Sequence, residues 1–319
     1  VPPMRHKAAF GDRIVATFEG RPGSVWRMFA DAAQRTPSAE AVVCESQRLS
    51  YADCEAAAAN VAAGLAAQGV QPSDRVVLFI DNRPEFVLAF LALQRLGAIA
   101  VPVGVREQRP GLAYIARQCG AAAIVIDAHL ADRLPDATEA PALRLRISIG
   151  DAPGCLPWAT LAACTDAPPA VATPAEHDVA VILYTSGTTG HPKGAMLTHR
   201  NIVHSVLHYQ ACMRLGGGER AALAVPASHV TGLVAIIATL LHMGGAIVIA
   251  PAFKAESFIR MMASERITHT MMVPAMYNLC LMHPSFASAD LSAWRVGGYG
   301  GAPMPVATID ALTTRLPGL

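Results

Sequence analysis

Apolar and polar positions follow two periods along the chain, and the residues between the periodic stretches predict its elements. Ser50, with Asp53 three residues on, opens a helical stretch that runs to Ala67 and stops before Gly69. VVLFI (76–80) then reads as a buried strand. Pro84 suits the first turn of a second helix ending near Gly97, and AIAVP and AAAIVID follow as further buried strands. This β-α-β-α order predicts parallel sheets with helices on both faces. The expected fold class is α/β: two stacked α/β subdomains with largely parallel sheets covered by helices.

Residues 151–178 are rich in Pro and Ala, lack clear periodicity and read as a linker. They divide the chain into an N-terminal subdomain over 1–165 and a second over 166–319. DVAVILYT then reads as a strand, TSGTTGHPKG as a loop, and AMLTH as a short strand before a helix that Thr198 can cap. The run GLVAIIATLLHMGGAIVIAP (232–251) is almost long enough to span a membrane, but His242 and Gly244-Gly245 interrupt it. A buried helix followed by a buried strand fits better.

Composition narrows the partners. Of 319 residues 53% are hydrophobic and 15% charged, enough for a large core, and the net charge of +1 gives no footprint for nucleic acid or an anionic membrane. Small-molecule partners are expected, with no integral membrane segment and with homodimer formation left open. Seven cysteines are scattered without a C-x-x-C pair, so most are expected to be reduced core residues. The N-terminal residues carry no apolar stretch after their basic positions, which predicts a cytoplasmic protein rather than a secreted one.

The stretch Tyr184 to Gly194, YTSGTTGHPKG, has the chemistry of an anion cradle. Glycines let backbone N–H groups converge, the hydroxyls of Thr185, Ser186, Thr188 and Thr189 add donors, and Lys193 adds charge. A solvated Gly/Thr hairpin turn is the plain alternative. A Walker A loop is disfavoured, because Lys193 follows Pro192 and precedes Gly194. The Met-dense span from Met261 to Met282 reads as core filler before an adaptable pocket. His191, His199 and Lys254 read as solvated or capping residues.

This loop resembles the signature of the adenylate-forming superfamily, which includes acyl-CoA synthetases, peptide-synthetase adenylation domains and luciferases. LSYADCEAAAANVAAGL, LALQRLGAIAVPV, PASHVTGL, ITHTMMVPAMYNL and GGYGGAPMP resemble further segments of that family in the family's order. The resemblance implies that Thr185, Ser186, Gly187, Thr188, Thr189, Gly190 and Lys193 hold the β- and γ-phosphates of ATP, with Gly301, Ala302 and Pro303 flanking adenine. It makes His229 the catalytic candidate, beside the carboxylate to be activated, with Val230, Tyr299 and Gly300 also lining the substrate. No aspartate lies between Leu223 and Leu241 to grip an α-amino group, which favours a plain fatty or aryl acid.

The implied activity is an acid:CoA ligase that uses ATP, Mg²⁺ and CoA; an acyl-AMP ligase loading a carrier protein and a non-catalytic ATP-binding protein are the alternatives. The family's Tyr-Gly-x-Thr-Glu segment, ribose-binding Asp, hinge and C-terminal lid domain with its Lys do not occur in this sequence. The chain alone is expected to be a poor enzyme, and no metal ligand is assigned in it.

Overall fold

The computed structural model describes residues 3–9, 13–185 and 191–319. The chain opens with an antiparallel ribbon of β1 (Met4–Ala9) and β2 (Arg13–Phe18), followed by α1 (Val25–Arg35). Strands β3 (Glu40–Cys44) and β4 (Gln47–Ser50) form a hairpin that leads into α2 (Tyr51–Ala67). The predicted cap of α2 is present in both directions: Asp53 N–H donates to Ser50 Oγ at 3.1 Å, and Ser50 N–H donates to the Asp53 carboxylate at 2.9 Å.

Next come β5 (Arg75–Phe79), α3 (Pro84–Leu96), β6 (Ile99–Pro102), α4 (Arg109–Cys119), β7 (Ala123–Asp127), β8 (Leu145–Ile149), β9 (Leu156–Pro157) and α5 (Trp158–Ala162). Helix α3 starts with Pro84 in its first turn and ends on Gly97 at φ 77°, a left-handed position that suits glycine. The second half holds β10 (Val179–Thr185), β11 (Lys193–Thr198), α6 (His199–Cys212), β12 (Arg220–Leu223), a π-helix over Thr231–Ala238, α7 (Thr239–Met243) and β13 (Ala246–Ile249). It closes with α8 (Ala255–Ser264), β14 (His269–Met272), α9 (Pro274–Met282), β15 (Val296–Tyr299) and α10 (Val306–Arg315).

Among the described residues the strands build two large sheets, in the orders β11-β10-β6-β5-β7-β8-β9 and β15-β14-β12-β13-β3-β4. All neighbours are parallel except the hairpins β10–β11 and β3–β4. Helix α3 packs against β5 and β6 of the first sheet and β3 of the second, and eleven of its thirteen residues are buried. Each of its fully buried Phe and Leu side chains contributes about 1.5–3 kcal/mol relative to exposure.

Two expectations need correction. The sheets do not divide at residue 165: β3 and β4 cross into the second sheet and β10 and β11 into the first. Residues 151–178 are also not all linker, because β9 pairs with β8 and α5 packs on α2 so closely that a Cβ at Gly64 would lie 2.8 Å from Leu161 Cα. Of the cysteines, all free, only Cys54 and Cys280 are buried. The 232–251 run resolves into the π-helix, α7 and β13, and no helix among the described residues is long and apolar enough to cross a membrane.

Candidate active site

The glycine-rich loop springs from the β10–β11 hairpin, whose register sets Thr185 opposite Lys193 and Tyr184 opposite Gly194. Gly194 is needed there, since a Cβ would lie 2.8 Å from Ile182 Cγ2. Thr185 and Lys193 are exposed at the hairpin's end; Ser186, Gly187, Thr188, Thr189 and Gly190 lie outside the described residues. Both feet of the loop rest on α4. The Tyr184 hydroxyl donates to Gln118 Oε1, and the His191 ring stacks on Tyr114 with centroids 5.1 Å apart. Burial pushes the Tyr184 hydroxyl pKa up, so it stays a neutral donor.

His229 and Val230 follow β12 and are exposed. A tight turn carries them: His229 N–H donates to Pro226 O at 3.1 Å, and Leu233 N–H donates to His229 O at 2.8 Å as the π-helix begins. Gly232 lies so close beneath the turn that a Cβ would fall 2.3 Å from Pro226 O. The side-chain amide of Asn82, from the other sheet, bonds to the backbone of Val225 and Ala227. Neither the turn's packing nor Asn82 was evident from the sequence.

Tyr299 ends β15 opposite Met272 of β14, and Gly300 N–H donates to Met272 O at 3.2 Å. Tyr299 is 48% exposed, Gly300, Gly301, Ala302 and Pro303 are exposed too, and Gly301 has φ 81°, a left-handed turn where glycine is favoured. Since β12, β14 and β15 are adjacent and parallel, their carboxyl ends share one edge, with His229 and Tyr299 following strands about 10 Å apart.

The two sheets meet at these carboxyl ends. Beyond β6, a methyl at Gly104 would stand 3.8 Å from Ser228 Oγ, next to His229. Strand β10 runs parallel to β6, so the loop springs from this same edge. A crevice outside the carboxyl ends of parallel strands is where α/β folds bind ligands. Along this edge stand a hairpin end bearing the Thr185 hydroxyl and the Lys193 ammonium, and strand ends bearing the His229 imidazole, the exposed Tyr299 phenol and a glycine turn.

Among the described residues one group has ligand spacing for a metal ion, namely Asp81 after β5, Asp127 at the end of β7 and His129 just beyond it. It does not fit a magnesium ion on nucleotide phosphates. Asp127 is 1% exposed, and its oxygens already accept from Arg83 Nη1 at 2.6 Å and Asp81 N–H at 2.7 Å. Burial, then the Asp127 charge, pushes the Asp81 carboxyl pKa up. The first sheet also places β6 between β10 and β5, the nearer of the two strands that carry this cluster.

Residues 29–319 match the family described as AMP-binding enzyme. The chain belongs to that family. Among its relatives, a feruloyl-CoA synthase of Amycolatopsis is 34% identical over 273 residues, covering 86% of this chain and 53% of the relative. The long-chain-fatty-acid–CoA ligase FadD13 of Mycobacterium tuberculosis is 31% identical, with 82% and 52% covered. The chain thus spans about half the length of the curated relatives it matches. In three dimensions it is similar to the inhibitor-bound N-terminal domain of FACL13 from M. tuberculosis, with a TM-score of 0.84 and 30% identity over 92% of this chain and 73% of that one. The α/β class and the helix-covered parallel sheets expected of the sequence are those of this N-terminal domain.

Proposed function

We propose that the protein containing this chain activates a plain fatty or aryl carboxylic acid with ATP and passes the acyl group to CoA. The observation that supports the reading is the shared carboxyl edge, where the hairpin end with Thr185 and Lys193 and the strand ends with His229 and Tyr299 lie on the side at which the two sheets meet. Similarity to enzymes named feruloyl-CoA synthase and fatty-acid–CoA ligase supports the same chemistry.

On this reading ATP lies along the edge with its β- and γ-phosphates in the loop, its adenine beside Gly301, Ala302 and Pro303, and the acid against His229 and Val230. A carboxylate oxygen attacks the α-phosphorus, the new P–O bond forms, and pyrophosphate leaves past Lys193. The CoA thiolate then attacks the acyl carbon and AMP departs. Lys193 and the loop hydroxyls stabilise charge on the leaving pyrophosphate. His229 borders the acid and holds it near in-line geometry. Magnesium belongs with ATP in this chemistry, but the described residues offer it no fitting ligand set and no step is routed through it. The reaction belongs in the cytoplasm, where ATP and CoA are at hand.

The test is pyrophosphate exchange by the full-length protein across aliphatic and aryl acids, followed by assay of the CoA thioester. Acid-dependent exchange with thioester formation is expected. Exchange without thioester would redirect the second half-reaction to another thiol, and no exchange with any acid would reject the reading.

A further inference from the structure

We infer that Asn82 is a positioning residue for the acid side of the site: from one sheet, it holds the turn that carries His229 on the other. This rests on the proposed placement of the acid beside that turn. Asn82 follows β5, and its Nδ2 donates to Val225 O at 2.9 Å while its Oδ1 accepts from Ala227 N–H at 2.8 Å. One amide thus satisfies an acceptor and a donor two residues apart, as a neighbouring strand would. Two such bonds fix orientation as well as distance, which a single bond does not.

The clamp stands on a rigid base. Asp127 on β7, 1% exposed, takes the N–H of Asp81 on one oxygen and the guanidinium of Arg83 on the other, so the residues on both sides of Asn82 are pinned. Pro84 then starts α3 directly. On the far side the held turn has little room to move. Val225 and Ala227 are buried, Gly232 presses against Pro226 O, and Ser228 stands against Gly104 of the first sheet. The route runs from the Asp127 carboxylate through Asn82 to Ala227, two residues from His229. A small misplacement of a substrate-positioning turn weakens alignment more than it weakens the fold.

The experiment uses the full-length protein with Asn82→Ala, Asn82→Asp, His229→Ala and the double variant Asn82→Ala/His229→Ala. Asn82→Asp keeps the side chain's size and its acceptor but turns the donor into a second oxygen facing Val225 O, so it guards against a simple folding defect. Both Asn82 variants should raise KM for the acid roughly 5- to 30-fold, the loss of about one or two hydrogen bonds, and leave KM for ATP within about twofold. In the His229→Ala background the added effect of Asn82→Ala should shrink to within about twofold. Hydrogen exchange at the Ala227 amide should speed up at least about tenfold in Asn82→Ala while β10 and β11 stay unchanged. That readout needs no turnover, so it tests the clamp even if wild type shows no acid-dependent exchange and the functional reading falls. Equal rises in both KM values, wild-type kinetics, or an unchanged Ala227 exchange rate would overturn the assignment.

Discussion

Tyr114 and His191 lie ring against ring, with centroids 5.1 Å apart and planes 18° from parallel. Tyr114 is on α4, and one turn further Gln118 takes the hydroxyl of Tyr184. One helix face therefore supports the chain on either side of the glycine-rich stretch, and residue 191 has a neighbour that a solvated loop position would lack. Removing the Tyr114 ring should lower ATP affinity without touching any phosphate donor. An aromatic pair contributes about 0.5–1.5 kcal/mol beyond its buried area, so Tyr114→Ala should weaken ATP binding roughly 2- to 12-fold in the full-length protein. Calorimetric titration of ATP checks this; a wild-type dissociation constant would return the stack to a surface contact.

Three histidines make the fold acid-sensitive. Burial holds the rings of His199, His242 and His269 down at about 4, against an ordinary value of 6.5. His199 Nδ1 accepts from Val25 N–H, and His269 has no hydrogen-bond partner on either nitrogen among the described residues. The unfolded chain therefore binds more protons than the folded one between about pH 6.5 and 4, and stability falls as pH drops through that window. Each ring should cost on the order of 2 kcal/mol at about pH 5 relative to neutrality. Urea midpoints at a series of pH values measure the slope, and His269→Leu should remove roughly a third of it. A flat profile from pH 7.5 to 5 would contradict the account.

Gly232 has a role that no residue preference explains. Its Cα faces the Pro226–His229 turn, and a Cβ would sit 2.3 Å from Pro226 O and 2.9 Å from Ala227 Cα. Both are backbone atoms, so no side chain can swing aside. Gly232→Ala should cost about 1–3 kcal/mol by overpacking and displace the turn that carries His229. Thermal melting and acid KM together test it: a native melting temperature with native KM would mean that the turn yields freely.

The elements that were legible from the sequence carry their signals locally. Ser50 with Asp53 marks the start of α2, and Pro84 and Gly97 bracket α3, because capping and left-handed turns depend on residues a few positions apart. Sheet membership was not legible. Strand β3 joins β13 and β10 joins β6 through long-range pairings that no local pattern specifies, so a boundary drawn at a Pro-rich stretch missed the exchange of strands. The site divides the same way. Thr185, Lys193, His229 and Tyr299 sit in recognisable motifs, whereas Asn82 works through atoms 143 and 145 positions away and looks like an ordinary residue before a helix. His199 reads in the sequence as a solvated or capping residue; in the fold it is 3% exposed and caps the start of α1, a different helix from its own.

Lys193 offers the sharpest test of the loop itself. Its Cα pairs with Thr185 across the hairpin, and its side chain is exposed, so its ammonium stands at the open end of β10–β11 rather than in the protein's packing. Its removal should therefore leave the fold intact, with a melting temperature close to wild type. What is lost is one charge-assisted contact to phosphate, about 1.5–3 kcal/mol, which corresponds to roughly a 10- to 150-fold weaker ATP dissociation constant. The proposed position beside the β- and γ-phosphates predicts that Lys193→Ala acts on ATP and pyrophosphate and hardly on AMP, which lacks both groups. Binding of ATP, pyrophosphate and AMP to wild type and variant separates the cases. Equal weakening of AMP would move Lys193 to the α-phosphate, and unchanged binding of all three ligands would make it a surface lysine and remove it from the site.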